Sequence, residues 1–372
     1  MKLVNPVRRR QTFFWILCTI IVWFGCVPSL RTHAALRMPD VRPVPELKVV
    51  PGGQTIGVRM KSAGVLVVGH HSFVGSGQQR VSPGERANIQ IGDLIVRIDG
   101  KPVADVSEVA PRVEAAGQAG RPVVLTVLRG GEWLDVPVRP EYDAADRAYR
   151  LGLYIRDTAA GVGTLTFYSP DFRIYGALGH VVTDTDTRTP IVVGKGEIVA
   201  ATVTSIARSR NGEPGEKHAV LPDEGKVIGT IEKNTAFGIF GRIIEFPSTA
   251  FLREPMPVAF ADEVQKGPAE MWTVIDGQKV EKFGIEIVHV ARQQTPGPKG
   301  LVVRVTDPRL IEKTGGIVQG MSGSPIVQNG KLVGAVTHVL VSDPTTGYGC
   351  LIEWMLRDAG LVLEPNVQKK AG

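Results

Sequence analysis

Gly320-Met321-Ser322-Gly323-Ser324-Pro325 places a serine between two flexible residues, ahead of a short apolar run at Ile326 and Val327. Glycines here let the chain turn sharply, leave room for a substrate carbonyl, and allow main-chain N–H groups to face a developing oxyanion. The chemistry this arrangement could do is nucleophilic attack on an acyl group. A plain turn between two strands has the same Gly/Ser composition, so the serine acquires meaning only if a base accompanies it.

The chain holds seven histidines. His33, His70 and His71 lie far upstream, and His218 adjoins a Gly/Pro-rich loop. His180, His289 and His338 remain, each at or near an apolar segment. His289 sits inside its segment, where packing alone would account for it. His180 closes Gly176-Ala177-Leu178-Gly179-His180, a crowded and turning backbone, with Asp184 and Asp186 just beyond. His338, in Ala335-Val336-Thr337-His338-Val339, comes soon after the serine and would face it across a hairpin. Pattern alone leaves the choice of base open. His70 and His71 lack metal-ligand spacing and read as loop residues; no metal, nucleotide or other cofactor is expected.

The elements that must position these groups are short. Val162 to Tyr168, Phe172 to Leu178, Ile198 to Ile206, Val227 to Ile231, Phe237 to Phe246, Ile285 to Ala291, Leu301 to Thr306 and Leu332 to Val341 are apolar runs separated by turn residues. With one helix expected near Glu353 to Ala359, the stretch 151–365 reads as a mainly β domain, a barrel or sandwich. The 43 Gly and 26 Pro agree with many turns. Arg208 to Lys217 reads as a polar excursion within this domain, and the charged cluster Glu141 to Arg150 as the break before it.

Upstream, residues 57–140 have a different pattern. Gly64-Val65-Leu66-Val67-Val68-Gly69 is a buried-strand candidate. Ala87-Asn88-Ile89-Gln90-Ile91-Gly92-Asp93-Leu94-Ile95-Val96-Arg97-Ile98-Asp99-Gly100 contains a strand between two turns, and a helix starting near Ser107 keeps Pro111 close to its first turn. This stretch resembles a PDZ domain of the bacterial-protease type through its A-x-x-x-x-G-D-L-I-x-x-I-D-G signature. The resemblance implies a small α+β module that binds extended peptides by strand addition, in a groove lined by Val65, Leu66, Val67 and Val68 and by Val109 and Val113.

Arg8, Arg9 and Arg10 precede an apolar run from Phe13 to Leu30. Positive charge before an apolar segment sets a cytoplasmic N-terminus, and at about 1.5 Å per residue the run just reaches across a bilayer core. Residues 1–35 are therefore expected to be a signal-anchor or transmembrane segment. Thr32-His33-Ala34 resembles a signal cleavage site only weakly. Residues 36–56, with prolines at 39, 43, 45 and 51, read as an extended spacer open to proteolysis. Cys18 and Cys26 lie in the apolar run, which leaves Cys350 alone downstream and no intramolecular disulfide for the exported part. The net charge of +6 comes from 43 Lys+Arg against 37 Asp+Glu and is spread along the chain, so nucleic-acid binding finds no support.

Phe172 to Asp184, with its G-A-L-G-H segment, and the run from Val305-Thr306-Asp307-Pro308 through Gly320-Met321-Ser322-Gly323-Ser324-Pro325 to Thr337-His338 and Asp343-Pro344 resemble the stage IV sporulation protein B (SpoIVB) peptidase family of endospore-forming bacteria. Anchor, spacer, PDZ domain and peptidase domain follow that family's order. The resemblance implies a chymotrypsin-like β-barrel serine peptidase with Ser322 as nucleophile, His180 as general base and Asp307 as the carboxylate orienting the imidazole, in the chain order His, Asp, Ser. By analogy with that fold, the N–H groups of Gly320 and Ser322 would form the oxyanion hole, worth about 3 kcal/mol per donor. Asp184 and Asp186 compete with Asp307, and a Ser-Lys dyad through Lys313 or Lys331 is the mechanistic variant.

The resemblance also implies a role. Such proteins cross the inner forespore membrane, act in the space between the two forespore membranes, cleave themselves, and cut a membrane-bound regulator of an intramembrane metalloprotease that activates the late mother-cell sigma factor. Expected partners are the chain's own N-terminal region, that regulator, a peptide ligand of the PDZ domain, and the membrane. Two other classes stand beside this: a catalytically silent PDZ protein that binds peptides, and a quality-control protease of the HtrA kind. The latter usually carries Gly-Asn-Ser-Gly-Gly around its serine, unlike the sequence here.

Overall fold

The computed structural model describes residues 47–221, 226–245, 254–293 and 295–362. The expected membrane segment and most of the spacer lie outside these residues. Among the described residues no helix is long and apolar enough to cross a membrane.

The mainly β expectation holds. Strands Gly267–Val274, Val280–Val290, Leu301–Val305, Asp343–Leu351, Lys331–Leu340 and Pro325–Gln328 pair in that order and close into a barrel. Alternation decides what faces in: Phe283, Ile285 and Ile287 on one strand and Leu301, Val303 and Val305 on the next are buried at every second position. Each contributes about 1.5–3 kcal/mol by leaving water. Gly267–Val274 and Asp343–Leu351 were not legible in the sequence, because polar and glycine residues such as Glu270, Thr273, Thr346 and Gly347 interrupt them. The expected C-terminal helix is Ile352–Asp358, and a further short helix, Pro308–Thr314, follows Asp307.

A second sheet carries the rest. Its two longest strands, Thr55–His70 and Leu153–Ser169, run antiparallel from Leu153↔His70 to Thr164↔Thr55. The first of these also pairs with Leu94–Ile98 and with Val193–Ala200. Strands of the upstream module and of the downstream domain thus share one sheet. In the module, a 3-10 turn at Val106–Glu108, with the Asp105 side chain accepting from Ser107 N, leads into helix Val109–Gln118, and Pro111 sits in its first turn as expected.

The register corrects the expected peptide groove. Val65 and Leu66 pair with Ile95 and Leu94 on one side, while Leu66 and Val67 pair with Arg156 and Ile155 on the other. Both edges of Val65 to Val68 are occupied, so no peptide strand can add there. Val109 and Val113 do line a groove of about 400 Å³, but the strand across it is Leu153 to Ile155, beyond the expected end of the module at residue 140.

Candidate active site

The serine loop enters the barrel's closing strand, and its shape depends on two glycines. Gly320 and Gly323 have φ of +89° and +91°, a region only glycine adopts freely. A Cβ on Gly323 would fall 2.2 Å from the carbonyl oxygen of Thr164. Thr164 and Thr166, on one face of the 153–169 strand, hold the loop from beneath. Thr164 N donates to Ser322 O at 2.9 Å, Thr164 Oγ1 to Gly320 O at 2.9 Å, and Thr166 Oγ1 to Gly323 O at 2.8 Å. The T-x-T alternation at 164 and 166 was the one sequence signal for these supports.

Main-chain donors in the loop divide cleanly. Gln319, Met321, Gly323 and Ser324 donate to Gly215 O, Val318 O, Val336 O and Met321 O. Among the described residues, the N–H groups of Gly320 and Ser322 have no acceptor. These are the two donors nominated for an oxyanion, and an unpaired N–H beside a half-buried serine is available for that purpose.

Ser322 Oγ donates to Thr337 O at 2.9 Å. His180 follows two left-handed residues, Leu178 and Gly179, both with φ of +71°. For a leucine this conformation costs about 1–3 kcal/mol and persists only where the surroundings impose it; here Leu178 N bonds to Thr164 O and Gly179 N to Ala177 O. His180 Nδ1 lies 2.8 Å from Val181 O. A carbonyl only accepts, so Nδ1 carries the proton and Nε2 keeps its lone pair. Burial lowers the His180 pKa below the usual imidazole value, against an opposing effect of the Val181 hydrogen bond.

Ser322, His180, His338 and Gly320 line one cavity of about 690 Å³, walled by Val162, Leu178, Val336 and Val339 among others. The rings of His180 and His338 are 5.0 Å apart between centroids. Desolvation, then the charges of His180 and Lys299, push His338 down to about 4. His289 is exposed and does not line this cavity.

The structure does not bring Asp307 to His180. Asp307 is the N-cap of helix Pro308–Thr314: its carboxylate accepts from Arg309 N at 2.9 Å and Arg309 Nη2 at 2.8 Å, and from Gly284 N at 3.3 Å. The Arg309 guanidinium, foremost, holds its pKa below the ordinary carboxylate value. It has no hydrogen bond to His180 and does not line the cavity. Asp184 caps the turn Thr183–Pro190 by accepting from Asp186 N and Thr187 N, and both Asp184 and Asp186 pair with Arg156. Among the described residues, the group orienting His180 is the carbonyl of its own neighbour, Val181.

Lys217 was unforeseen at the site. Expected at the end of a polar excursion, it begins the inner part of strand Glu216–Val220 and is 2% exposed. Its N donates to Gln319 O, its methylenes lie against Gly320, and its Nζ bonds to Thr273 Oγ1 at 2.8 Å, which in turn accepts from Ser324 Oγ at 3.1 Å. Burial lowers its pKa to about 7. The 208–217 polarity hides this inward turn, since one buried lysine among exposed charged residues leaves no periodic trace. Among the described residues no group of three or more potential metal ligands occurs.

A model of the SpoIVB peptidase S55 family matches residues 147–356, more than half of the chain. The chain belongs to this family. It is a serine endopeptidase, and the cavity that holds Ser322 and His180 lies within the matched region. A PDZ domain model matches residues 55–139. Among solved structures, the inactive form of the Rv3671c protease is similar at 16% identity and TM-score 0.30, covering 54% of this chain and 84% of that one. The active form of the same protease, from M. tuberculosis, gives 16% identity and TM-score 0.30, covering 55% and 76%. No curated protein matches the chain.

Proposed function

We propose that Ser322 and His180 form the catalytic pair, with the Gly320 and Ser322 N–H groups as the oxyanion hole. One observation carries this: the serine, the imidazole and the Gly320 turn line a single cavity, while the two N–H groups are left unpaired. In the reaction, Ser322 Oγ turns from Thr337 O toward His180 Nε2. His180 takes the hydroxyl proton as Oγ bonds to the substrate carbonyl carbon, and the resulting oxyanion accepts from Gly320 N–H and Ser322 N–H. His180 then gives the proton to the leaving amine, and water repeats the sequence on the acyl-enzyme. The Val181 carbonyl holds Nδ1–H throughout and favours the transient imidazolium.

The family's name, and the resemblance in residue order, support a role in sporulation signalling. In this reading the chain is exported across the inner forespore membrane and held at first by its N-terminal segment. It cleaves its own N-terminal region, and it cuts a membrane-bound regulator of an intramembrane metalloprotease, which leads to activation of the late mother-cell sigma factor. The test follows the N-terminus of the full chain by intact mass, wild type beside Ser322→Ala, with sporulation signalling scored in cells carrying only each form. Trimming and signalling in the wild type alone are expected; equal signalling in both would sink the role.

A further inference from the structure

The 153–169 strand has two edges with different fates. One pairs with the 55–70 strand along its length to Thr164. Strand Lys48–Pro51 continues that same edge at Phe167 and Tyr168, and the other edge is paired only from Leu165 onward, with strand Ile174–Ala177. Thr164 gives its N–H to Ser322 O and its carbonyl to Leu178 N. From Leu153 to Gly163, among the described residues, this second edge has no main-chain partner.

Native sheets guard such edges with lysine, proline or strong bulges. Register irregularities occur here only between Tyr154 and Thr158. Beyond them the edge is Ala159-Ala160-Gly161-Val162, uncharged and free of proline. Ala160 and Gly161 are exposed, and a Cβ on Gly161 would meet nothing within 4 Å.

Both cavities already described open on this strand. The groove against helix Val109–Gln118 uses Leu153, Tyr154 and Ile155, and the serine cavity uses Ala159, Ala160, Gly161 and Val162. A PDZ ligand is recognised by strand addition, and the strand that would accept it continues, past the irregularities between Tyr154 and Thr158, to the serine cavity. Resting on the peptidase reading, we propose that the substrate is one extended peptide laid along the free edge from Leu153 to Gly163. One end is seated between this strand and the 109–118 helix, and the scissile bond lies at Ser322. The apolar lining of the groove by Ile95, Val109, Val113 and Ile155 calls for an apolar side chain at that end. At about 3.3 Å per residue the span is roughly 30 Å, so about ten peptide residues are needed to occupy both cavities.

The test uses the full chain and overlapping twelve-residue peptides from its own residues 31–56, each beside its central six-residue core. Binding is measured with Ser322→Ala by fluorescence anisotropy and cleavage with the wild type. Expected are binding and kcat/KM about tenfold or more in favour of the longer peptide, the gain from engaging two linked subsites. N-methylation of one of the two alternating sets of amides should abolish that gain. So should Ala110→Glu, which places a charge at an exposed helix position on the groove. Cleavage without length dependence, or a length dependence indifferent to both N-methyl sets and to Ala110→Glu, would overturn the docking proposal alone. Length-dependent binding with no cleavage of any peptide would overturn the peptidase reading and, with it, the placement of the scissile bond.

Discussion

The hydroxyl of Ser322 donates to the main-chain carbonyl of Thr337 at 2.9 Å, although the imidazole of His180 lines the same cavity. In the proposed mechanism Ser322 therefore starts from a resting hydrogen bond that it must leave to engage His180. That bond is one neutral hydrogen bond at the wall of the cavity, worth about 1 kcal/mol, so the serine adds little to stability. Ser322→Ala is expected to lower peptide turnover by about a thousandfold or more while leaving the melting temperature nearly unchanged. Parallel cleavage assays and thermal melts check it.

Two histidines face each other at the site, and they differ in how they are held. His180 is held by Val181 O in the tautomer a base requires, whereas among the described residues the His338 ring has no hydrogen bond to orient it. His180→Ala should remove nearly all activity, and His338→Ala should leave it within about tenfold, since general-base catalysis is worth about 10²–10⁴. Steady-state kinetics on one peptide substrate separate them; the reverse ranking would make His338 the base.

Asp307 acts on a helix rather than on an imidazole. Asn caps as well as Asp, whereas Ala removes a cap worth about 1 kcal/mol. Asp307→Asn is expected to keep both stability and kcat, and Asp307→Ala to lose about that much stability with kcat changed only a few-fold. Urea unfolding alongside kinetics decides the matter. A collapse of kcat in Asp307→Asn with stability intact would restore the carboxylate to the mechanism.

The pH profile follows from the direction of the His180 shift. Burial lowers its pKa below 6.5, so the neutral, active form persists below that pH, and the acid limb of kcat/KM should lie below pH 6.5. Between 6.5 and the lowered value, the unfolded chain binds a proton that the folded one refuses. Stability should therefore also decline as pH falls through that window. A limb above 6.5 would contradict the burial argument.

Lys217 gives the opposite pH signature. With a folded pKa of about 7 against 10.5 unfolded, it is neutral when folded and protonated when unfolded between these values, so stability should rise from pH 7 toward 10.5. Lys217→Met keeps the methylenes against Gly320 and removes the buried amine. The variant should be at least as stable at pH 7 and should lose the rise, as measured by chemical unfolding at pH 7 and pH 9. A fall in stability of several kcal/mol would show instead that the Lys217 to Thr273 bond outweighs the desolvation.

Much of this protein was determined by its sequence alone. Many strands were legible because short apolar runs bounded by turn residues mark them whatever they pack against. The serine loop was legible because positive φ demands glycine, at Gly320 and Gly323. What only the tertiary structure decided are pairings between distant segments. His180 and Ser322 share a cavity because the 153–169 strand brings both turns onto Thr164. Asp307 is withdrawn from the site because Arg309 and Gly284 N occupy its oxygens, a local competition that a motif does not display. The groove beside the 109–118 helix is walled by Leu153–Ile155 rather than Val65–Val68, because occupation of both edges of a strand depends on register, and register is fixed only when the whole sheet assembles. Lys217, polar in a polar stretch, went inward for the same reason: the direction of a side chain is set by the strand its neighbours pair with, here at Gln319.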